Sequence, residues 1–312
     1  MAQKSKAGKN GLIEVFRFLC AVWVAYYHGF FPIITDNFRG AVVSVDFFFM
    51  VSGLFFLRSM EKYREKPFLK GVSFIIWGRT KKIIAPFLIA FTSVLVCNIF
   101  VEFDFNGFNW PLSFLWFFAA QYLFLSLFYL LYKKVKKRLV FNIICGAIIL
   151  LFMSAVSIDT REIDRFLRSP AMLAMGILLS QIPKLRFDLK SFLGSKKLGI
   201  VINSLGFAIC AVAFIYLAYL PDFAIWKLHL SCCVICPLLL YFATALPVKG
   251  KIFDLLGEFS IYIYLAQCPV LISYYFGNRD TTAQFPLFCI CILLMFLVNR
   301  VVNRLKKAKA PS

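Results

Sequence analysis

The sequence predicts an all-α, polytopic membrane protein with about ten transmembrane helices and with both termini in the cytoplasm. Three observations predict it. Apolar residues make up 61% of the 312 residues and charged residues only 16%, whereas soluble domains have about 45–50% apolar and about 25% charged residues. Long apolar runs recur along the whole chain, and lysines and arginines are concentrated in every second segment between them.

The apolar runs predict the positions of the helices, because they are long enough to span a hydrocarbon layer about 30 Å thick. The alternating pattern of a membrane barrel is absent, so helices are expected to satisfy the backbone. No loop is longer than about 25 residues, which predicts a single transmembrane domain over residues 1–312. The sixth span is short and begins beside Arg168. The predicted spans are 11–31, 40–58, 83–101, 112–132, 139–157, 168–182, 198–220, 228–247, 258–276 and 285–303.

The basic residues predict the orientation. Of the 35 lysines and arginines, 28 lie in the N-terminal tail, 58–82, 133–138, 184–197, 249–251 and the tail from Arg300. The alternate loops hold six, and Arg17 lies within a span. The positive-inside rule places the larger set in the cytoplasm, as expected for a multi-pass protein of the inner membrane. Since the net charge of +20 is confined mostly to short loops, it does not predict binding to nucleic acid.

The cysteines do not predict a metal site. Most of the ten lie inside apolar spans, where cysteine behaves as a small hydrophobic residue. Cys233 and Cys236 form a C-x-x-C motif in an apolar run, and a second pair that would complete a zinc site is absent. We therefore expect no metal cofactor.

The first span carries a polar stripe. Glu14, Arg17 and His28 fall on nearly one helix face, and Arg17 and His28 are about 16 Å apart along the axis. Glu14 is three residues before Arg17, a spacing that allows an ion pair. Ionisable groups inside a membrane are candidates for a functional site. A pair that anchors the start of the helix at the membrane surface is the alternative for Glu14 and Arg17.

His28 and Asp46 are the predicted catalytic pair. Asp46 lies about six residues into the second span, so it is expected at the same depth as His28 below the outer surface. A carboxylate beside an imidazole stabilises the imidazolium, which a general base requires. The alternatives are an interfacial histidine and a buried aspartate that packs helices. His229, the other histidine, is expected at the outer interface.

Arg79 and Lys82 are the predicted donor-binding residues. They lie one turn apart on the cytoplasmic side, just before the third span, and together could bind the phosphate groups of a donor. Anchoring to anionic lipid headgroups is the alternative.

Four motifs in order resemble the acyltransferase-3 family of membrane-bound O-acyltransferases. The first is Arg17 followed after ten residues by His28, and the second is the segment SVDFFFMVSG, which contains Asp46. The third, GRTKKIIAPF, contains Arg79 and Lys82, and the fourth is LGEFSIYIYLAQCP. The resemblance covers the whole chain, including the plan of ten helices.

The resemblance implies transfer of an acyl group, usually acetyl from cytoplasmic acetyl-CoA, to a hydroxyl of a sugar or surface glycan. It implies that His28 is catalytic with Asp46 in support, and that Arg17, Arg79 and Lys82 serve activity and donor binding. The expected partners are membrane lipid, the acyl-CoA, a glycan acceptor and proteins of polysaccharide synthesis.

Two positions depart from the family pattern. Gln121 stands where many members have a glutamate, and Gln267 stands where they have a histidine. Glutamine forms hydrogen bonds but does not titrate, so the proton transfer is assigned to His28. Two other functions remain open, namely a glycan or lipid-linked-sugar transporter without group transfer, and a non-catalytic partner of a polysaccharide synthase.

Overall fold

The computed structural model describes residues 10–27, 40–99, 111–155, 163–182, 196–219, 225–246, 248–276 and 281–308, and every regular element in these residues is a helix. In chain order they are α1 (Gly11–Tyr27), α2 (Gly40–Lys62), α3 (Phe68–Ile99), α4 (Pro111–Lys134), α5 (Arg138–Ala155), α6 (Ile163–Gln181), α7 (Lys196–Tyr219), α8, α9 (Lys251–Phe276) and α10 (Thr281–Ala308). Helix α8 consists of Ile225–Leu230, a π-helical turn at Ser231–Ile235 and Cys236–Ala245.

The helices confirm the all-α prediction, and each predicted span overlaps one of them. Three described helical stretches are long and apolar enough to cross a membrane, namely Val43–Lys62, Leu198–Tyr219 and Lys227–Ala245. The number of crossings and the orientation stay predictions. Several helices extend beyond the predicted spans, and α6 begins at Ile163, so it contains Arg168, which is only 3% exposed.

Asn10 ties the start of α1 to the end of α8. Its side-chain oxygen accepts hydrogen bonds from the backbone of Leu12 and Ile13 at 3.0 and 3.3 Å, as an N-cap does. Its amide nitrogen donates to the carbonyl oxygens of Ala243 and Leu246 at 2.7 and 2.8 Å. One side chain therefore satisfies free backbone groups at two helix ends.

Two basic residues at helix ends also contact neighbouring segments of the chain. Lys133, at the end of α4, donates to the carbonyl oxygen of Lys66 in the loop between α2 and α3. Arg138, at the start of α5, donates to Gln181 at the end of α6 at 2.7 Å. The loop after α2, the end of α4, the start of α5 and the end of α6 therefore lie on the same side of these helices.

Aromatic side chains hold α1, α2 and α7 together. The ring centre of Phe16 lies 6.3 Å from that of Phe47 and 5.8 Å from that of Phe214. Trp23 stacks on Phe214 at 5.4 Å. Since Cys20 also hydrogen-bonds Ser44, later residues of α1 meet earlier residues of α2, and the two helices are antiparallel.

Helices α2 and α6 approach so closely that their backbones touch. A β-carbon at Gly53 would collide with the carbonyl oxygen of Leu173, and one at Gly176 would collide with the carbonyl oxygen of Met50. Small residues at helix contacts are the usual means of close approach in membranes, where lipid removes the hydrophobic drive for association.

We predict that Gly53→Ala and Gly176→Ala lower thermal stability, each by about 1–3 kcal/mol, because the added methyl group has no room. Gly146→Ala in α5 is the matched control, since a β-carbon there meets no atom within 4 Å, and alanine favours helix by about 0.5–1 kcal/mol. The measurement is the Tm of the detergent-solubilised protein. Equal Tm values for Gly53→Ala and Gly146→Ala would contradict the close contact.

Candidate functional site

The structure describes the side chains of three of the five predicted site residues. Arg17 lies in α1, Asp46 in α2 and Arg79 in α3. His28 lies outside the described residues, and of Lys82 only the position within α3 is described. The roles of all five residues therefore stay predictions.

Arg17 forms an ion pair within α1. Its Nη1 donates to Oε2 of Glu14, one turn earlier, at 2.8 Å, so the pairing that their spacing indicates is confirmed. Glu14 is 4% exposed and occupies the space over Gly257 of α9, where a β-carbon would collide with its carboxylate. The side chain of Arg17 is 23% exposed, so the neighbouring helices do not enclose it completely.

Arg79 is a partly buried cation that lies before the predicted third span. Its Nη2 donates to the carbonyl oxygen of Ser52 at 3.5 Å. Burial lowers the pKa of Arg79 to about 10, Tyr122 opposes this shift and the neighbouring Arg17 adds to it. Arg79 is therefore protonated at neutral pH. In the described part of the chain no carboxylate forms an ion pair with it.

Ser52 links α2 to α3 and α4. Its carbonyl oxygen accepts from Arg79, and its hydroxyl accepts from Nε2 of Gln121 at 2.5 Å. One residue further along α3 and α4, the hydroxyls of Thr80 and Tyr122 are 3.1 Å apart. Gln121, where the resemblance expects a glutamate, thus acts as a neutral hydrogen-bond donor. We call the following residues the Arg79 cluster: Arg17, Ser52, Arg79, Gln121 and Tyr122.

Asp46 lies in a second, separate polar group. Its Oδ1 is 3.7 Å from Nε of Arg168 in α6, and its Oδ2 accepts from the thiol of Cys232 in α8 at 3.0 Å. Asp46 is 1% exposed, Arg168 3% and Cys232 0%. Charges buried this deeply require an opposite charge, and the pair joins α2 to α6 while the thiol adds α8. The predicted contact of Asp46 with His28 falls outside the described residues.

Gln267 connects α9 to the part of α1 that leads to His28. Its Nε2 donates to the carbonyl oxygen of Ala21 at 3.4 Å, and Gln267 is 1% exposed. Ala21 is seven residues before His28 in the sequence. Gln267, the second departure from the family pattern, therefore acts as a hydrogen-bond donor to α1.

Arg168 and Cys232 are polar contacts that the sequence did not predict. Arg168 was assigned to the outer boundary of a span, and Cys232 to the apolar residues of an apolar run. The signal for Arg168 was its position at the start of the sixth apolar segment. Cys232 also lies in the π-helical turn of α8, a feature that is common at functional sites.

The family model described as an acyltransferase domain matches residues 10–304, nearly the whole chain. The chain belongs to the acyltransferase-3 family. It is accordingly a membrane acyltransferase, and membership implies an acyl donor. Neither curated proteins nor solved structures include a significant match to the chain.

We predict that Asp46→Asn and Arg168→Gln each destabilise the acyltransferase by about 3–5 kcal/mol, because each leaves an uncompensated buried charge. The double variant is expected to recover part of this loss. Arg300→Gln is the control, because Arg300 pairs with Glu258 at 3.8 Å with half of its side chain exposed, and such pairs contribute about 0–1 kcal/mol. Tm values in detergent provide the measurement. An Arg168→Gln variant as stable as Arg300→Gln would contradict the buried ion pair.

Proposed function

We propose that this acyltransferase transfers acetyl from cytoplasmic acetyl-CoA to a hydroxyl of a surface or exopolysaccharide sugar. The observation that carries the proposal is Arg79, a partly buried cation without a carboxylate partner among the described residues. Family membership supports an acyl donor. A guanidinium that lacks a protein anion is suited to the phosphate groups of CoA.

The proposal includes an orientation across the inner membrane. Ten crossings of a single domain over residues 1–312 place both termini and the basic segments in the cytoplasm, in agreement with the positive-inside rule. Arg79 and Lys82 then face the cytoplasmic donor, and His28 and Asp46 lie nearer the outer surface. The acceptor is a glycan, and proteins of polysaccharide synthesis are the proposed partners.

Donor binding is assigned to the Arg79 cluster together with Lys82. Arg79 presents its guanidinium beside Ser52, and Arg17 adds a second positive charge that Glu14 neutralises in part. Arg79 retains its charge at neutral pH, so its binding of the anionic donor does not depend on a proton. The thioester end of the donor then extends from the Arg79 cluster toward the end of α1.

The transfer itself requires one proton acceptor. His28 removes the proton from the acceptor hydroxyl as the hydroxyl oxygen attacks the carbonyl carbon of the thioester. The carbon–sulfur bond breaks, and the CoA thiolate takes up the proton that His28 received. The products are the O-acetyl ester and CoA. General base catalysis of this kind contributes about 10²–10⁴-fold to a rate.

Asp46 is assigned to stabilise the imidazolium form of His28. A carboxylate accepts up to about four hydrogen bonds, so its contacts with Arg168 and Cys232 are compatible with a further donor. Its burial at 1% exposure strengthens its interaction with a nearby positive charge, because the local dielectric constant is low.

We predict that Arg79→Gln weakens acetyl-CoA binding by about ten- to a hundredfold, since a charged hydrogen bond is worth about 1.5–3 kcal/mol. Lys82→Gln is expected to weaken it as well. Lys81→Gln is the matched control, because Lys81 is a cation of the same helix with an exposed side chain. Calorimetry with the detergent-solubilised protein measures the Kd. Equal losses for Arg79→Gln and Lys81→Gln would show non-specific charge attraction, and no binding by the wild type would favour a transporter.

We predict that His28→Ala lowers acetyl incorporation into glycan by about 10²–10⁴-fold while acetyl-CoA binding stays near the wild-type value. His229→Ala is the matched control, because His229 contacts the carbonyl oxygen of Met153 at 3.1 Å and has no role in the proposed reaction. Mass spectrometry of glycans from cells that express each variant measures the transfer, with protein abundance determined in parallel. Wild-type acetylation by His28→Ala at normal abundance would refute the mechanism.

A further inference from the structure

Four aromatic rings from three helices meet next to the Arg79 cluster. We call Phe48 of α2, Phe117 and Phe118 of α4, and Tyr264 of α9 the aromatic layer. The ring centre of Tyr264 lies 6.2 Å from that of Phe48, 5.2 Å from that of Phe117 and 5.9 Å from that of Phe118. The rings of Phe48 and Phe117 are 6.4 Å apart. The rings therefore contact each other across the space between α2, α4 and α9.

On one side the aromatic layer borders the Arg79 cluster. Phe48 is four residues before Ser52 in α2, and Phe118 is four residues before Tyr122 in α4, so each step is about 6 Å along a helix. The ring centres of Phe118 and Tyr122 are 6.4 Å apart. In each of these two helices, the aromatic residue lies farther from the basic last turn than the residue of the Arg79 cluster does.

On the other side the aromatic layer borders the region that leads to His28. Tyr264 is three residues before Gln267, and Gln267 hydrogen-bonds the carbonyl oxygen of Ala21 in α1. Gln267 lies farther than Tyr264 from Lys251, the basic first residue of α9. The aromatic layer therefore lies between the Arg79 cluster and the hydrogen bond of Gln267 to Ala21.

Three of the four rings keep exposed surface although they lie between helices. Phe48, Phe118 and Tyr264 are partly exposed, while Phe117 is 7% exposed and the neighbouring Phe49 is 0% exposed. Rings that were packed on all sides would be buried like Phe49. These three residues therefore keep surface that their neighbours do not cover, whereas Phe117 is packed against them.

We infer that the aromatic layer selects the acyl group of the donor by its width. The inference rests on the proposed function, in which the acyl group travels from the level of Arg17 toward the end of α1, which His28 follows in the sequence. The part of CoA that carries the thioester is an unbranched chain, and a linear acyl group continues it with the same cross-section. A branched acyl group adds a methyl group beside the chain.

Closely spaced rings discriminate against that added methyl group. Protein interiors are packed as densely as organic crystals, so an extra methyl group beside the chain requires the rings to move. Linear acyl groups therefore pass the aromatic layer, and branched groups are rejected. The bonds that form and break are the same for every donor, and only the acyl substituent differs.

Butyryl-CoA and isobutyryl-CoA are the probes, because they are isomers that differ in width. Membrane vesicles that contain the full chain and the glycan acceptor receive both donors together, and mass spectrometry measures the ratio of the two esters. Since both donors meet the same folded protein, the ratio does not depend on how much of a variant folds. Acetyl-CoA is the reference donor for the proposed function.

The wild type is expected to favour butyryl by at least about tenfold, as one misplaced carbon changes discrimination by about 10–200-fold. Phe117→Ala and the milder Phe48→Leu are expected to lower this preference by about tenfold. Phe214→Ala is the matched control, because its ring is fully buried against α1 and α2 outside the aromatic layer. It is expected to keep the wild-type ratio.

The two proposals fail in different ways. Acetyl transfer by the wild type with an unchanged butyryl preference in Phe117→Ala and Phe48→Leu overturns the inference and leaves the proposed function intact. The inference is also overturned if Phe214→Ala lowers the preference equally, or if the wild type uses neither isomer or both equally. Absence of acetyl transfer by the wild type overturns the proposed function and the inference together.

Discussion

Helix α2 lies against α6 at a distance that only glycine permits, and the rest of the site depends on this contact. Gly53 and Gly176 allow the two backbones to touch, which determines the rotation of α2 about its axis. Asp46 is seven residues before Gly53, so it shares the face toward α6. Phe48 and Ser52 are four residues apart and share a different face, toward α4 and α9. The close contact between α2 and α6 thereby directs Asp46 toward α6 and Phe48 toward α4 and α9.

The two polar groups differ in how their charge is balanced. Arg168 faces Asp46, so the pair carries no net charge and holds three helices together with Cys232. Arg79 has a backbone carbonyl and a second arginine near it, so the Arg79 cluster keeps a net positive charge. A low local dielectric constant strengthens the attraction between Asp46 and Arg168, and it also strengthens the attraction of Arg79 for an anion. The first favours a closed, permanent contact, and the second favours an anion that comes from outside the protein.

The sequence predicted the helices and one ion pair of the candidate site, and the limits have physical causes. Apolar length alone located the helices, because lipid requires continuous helical segments. The pairing of Glu14 with Arg17 followed from spacing within one helix. The Asp46–Cys232 contact did not, since it joins residues separated by 186 positions. Periodicity shows which residues share a face of one helix, but not which other helix that face meets.

Asn10 gives the chain an order of assembly. Its hydrogen bonds join residues separated by 233 and 236 positions, and α1 also packs extensively on α9. During synthesis the first helix therefore enters the membrane long before its partners exist. Contacts between distant parts of a chain form late, so α1 completes its packing only after α8 and α9 have been inserted. The helix made first is among the last to reach its final position, and a nascent chain that stops before α9 lacks Gly257, against which Glu14, the ion-pair partner of Arg17, packs.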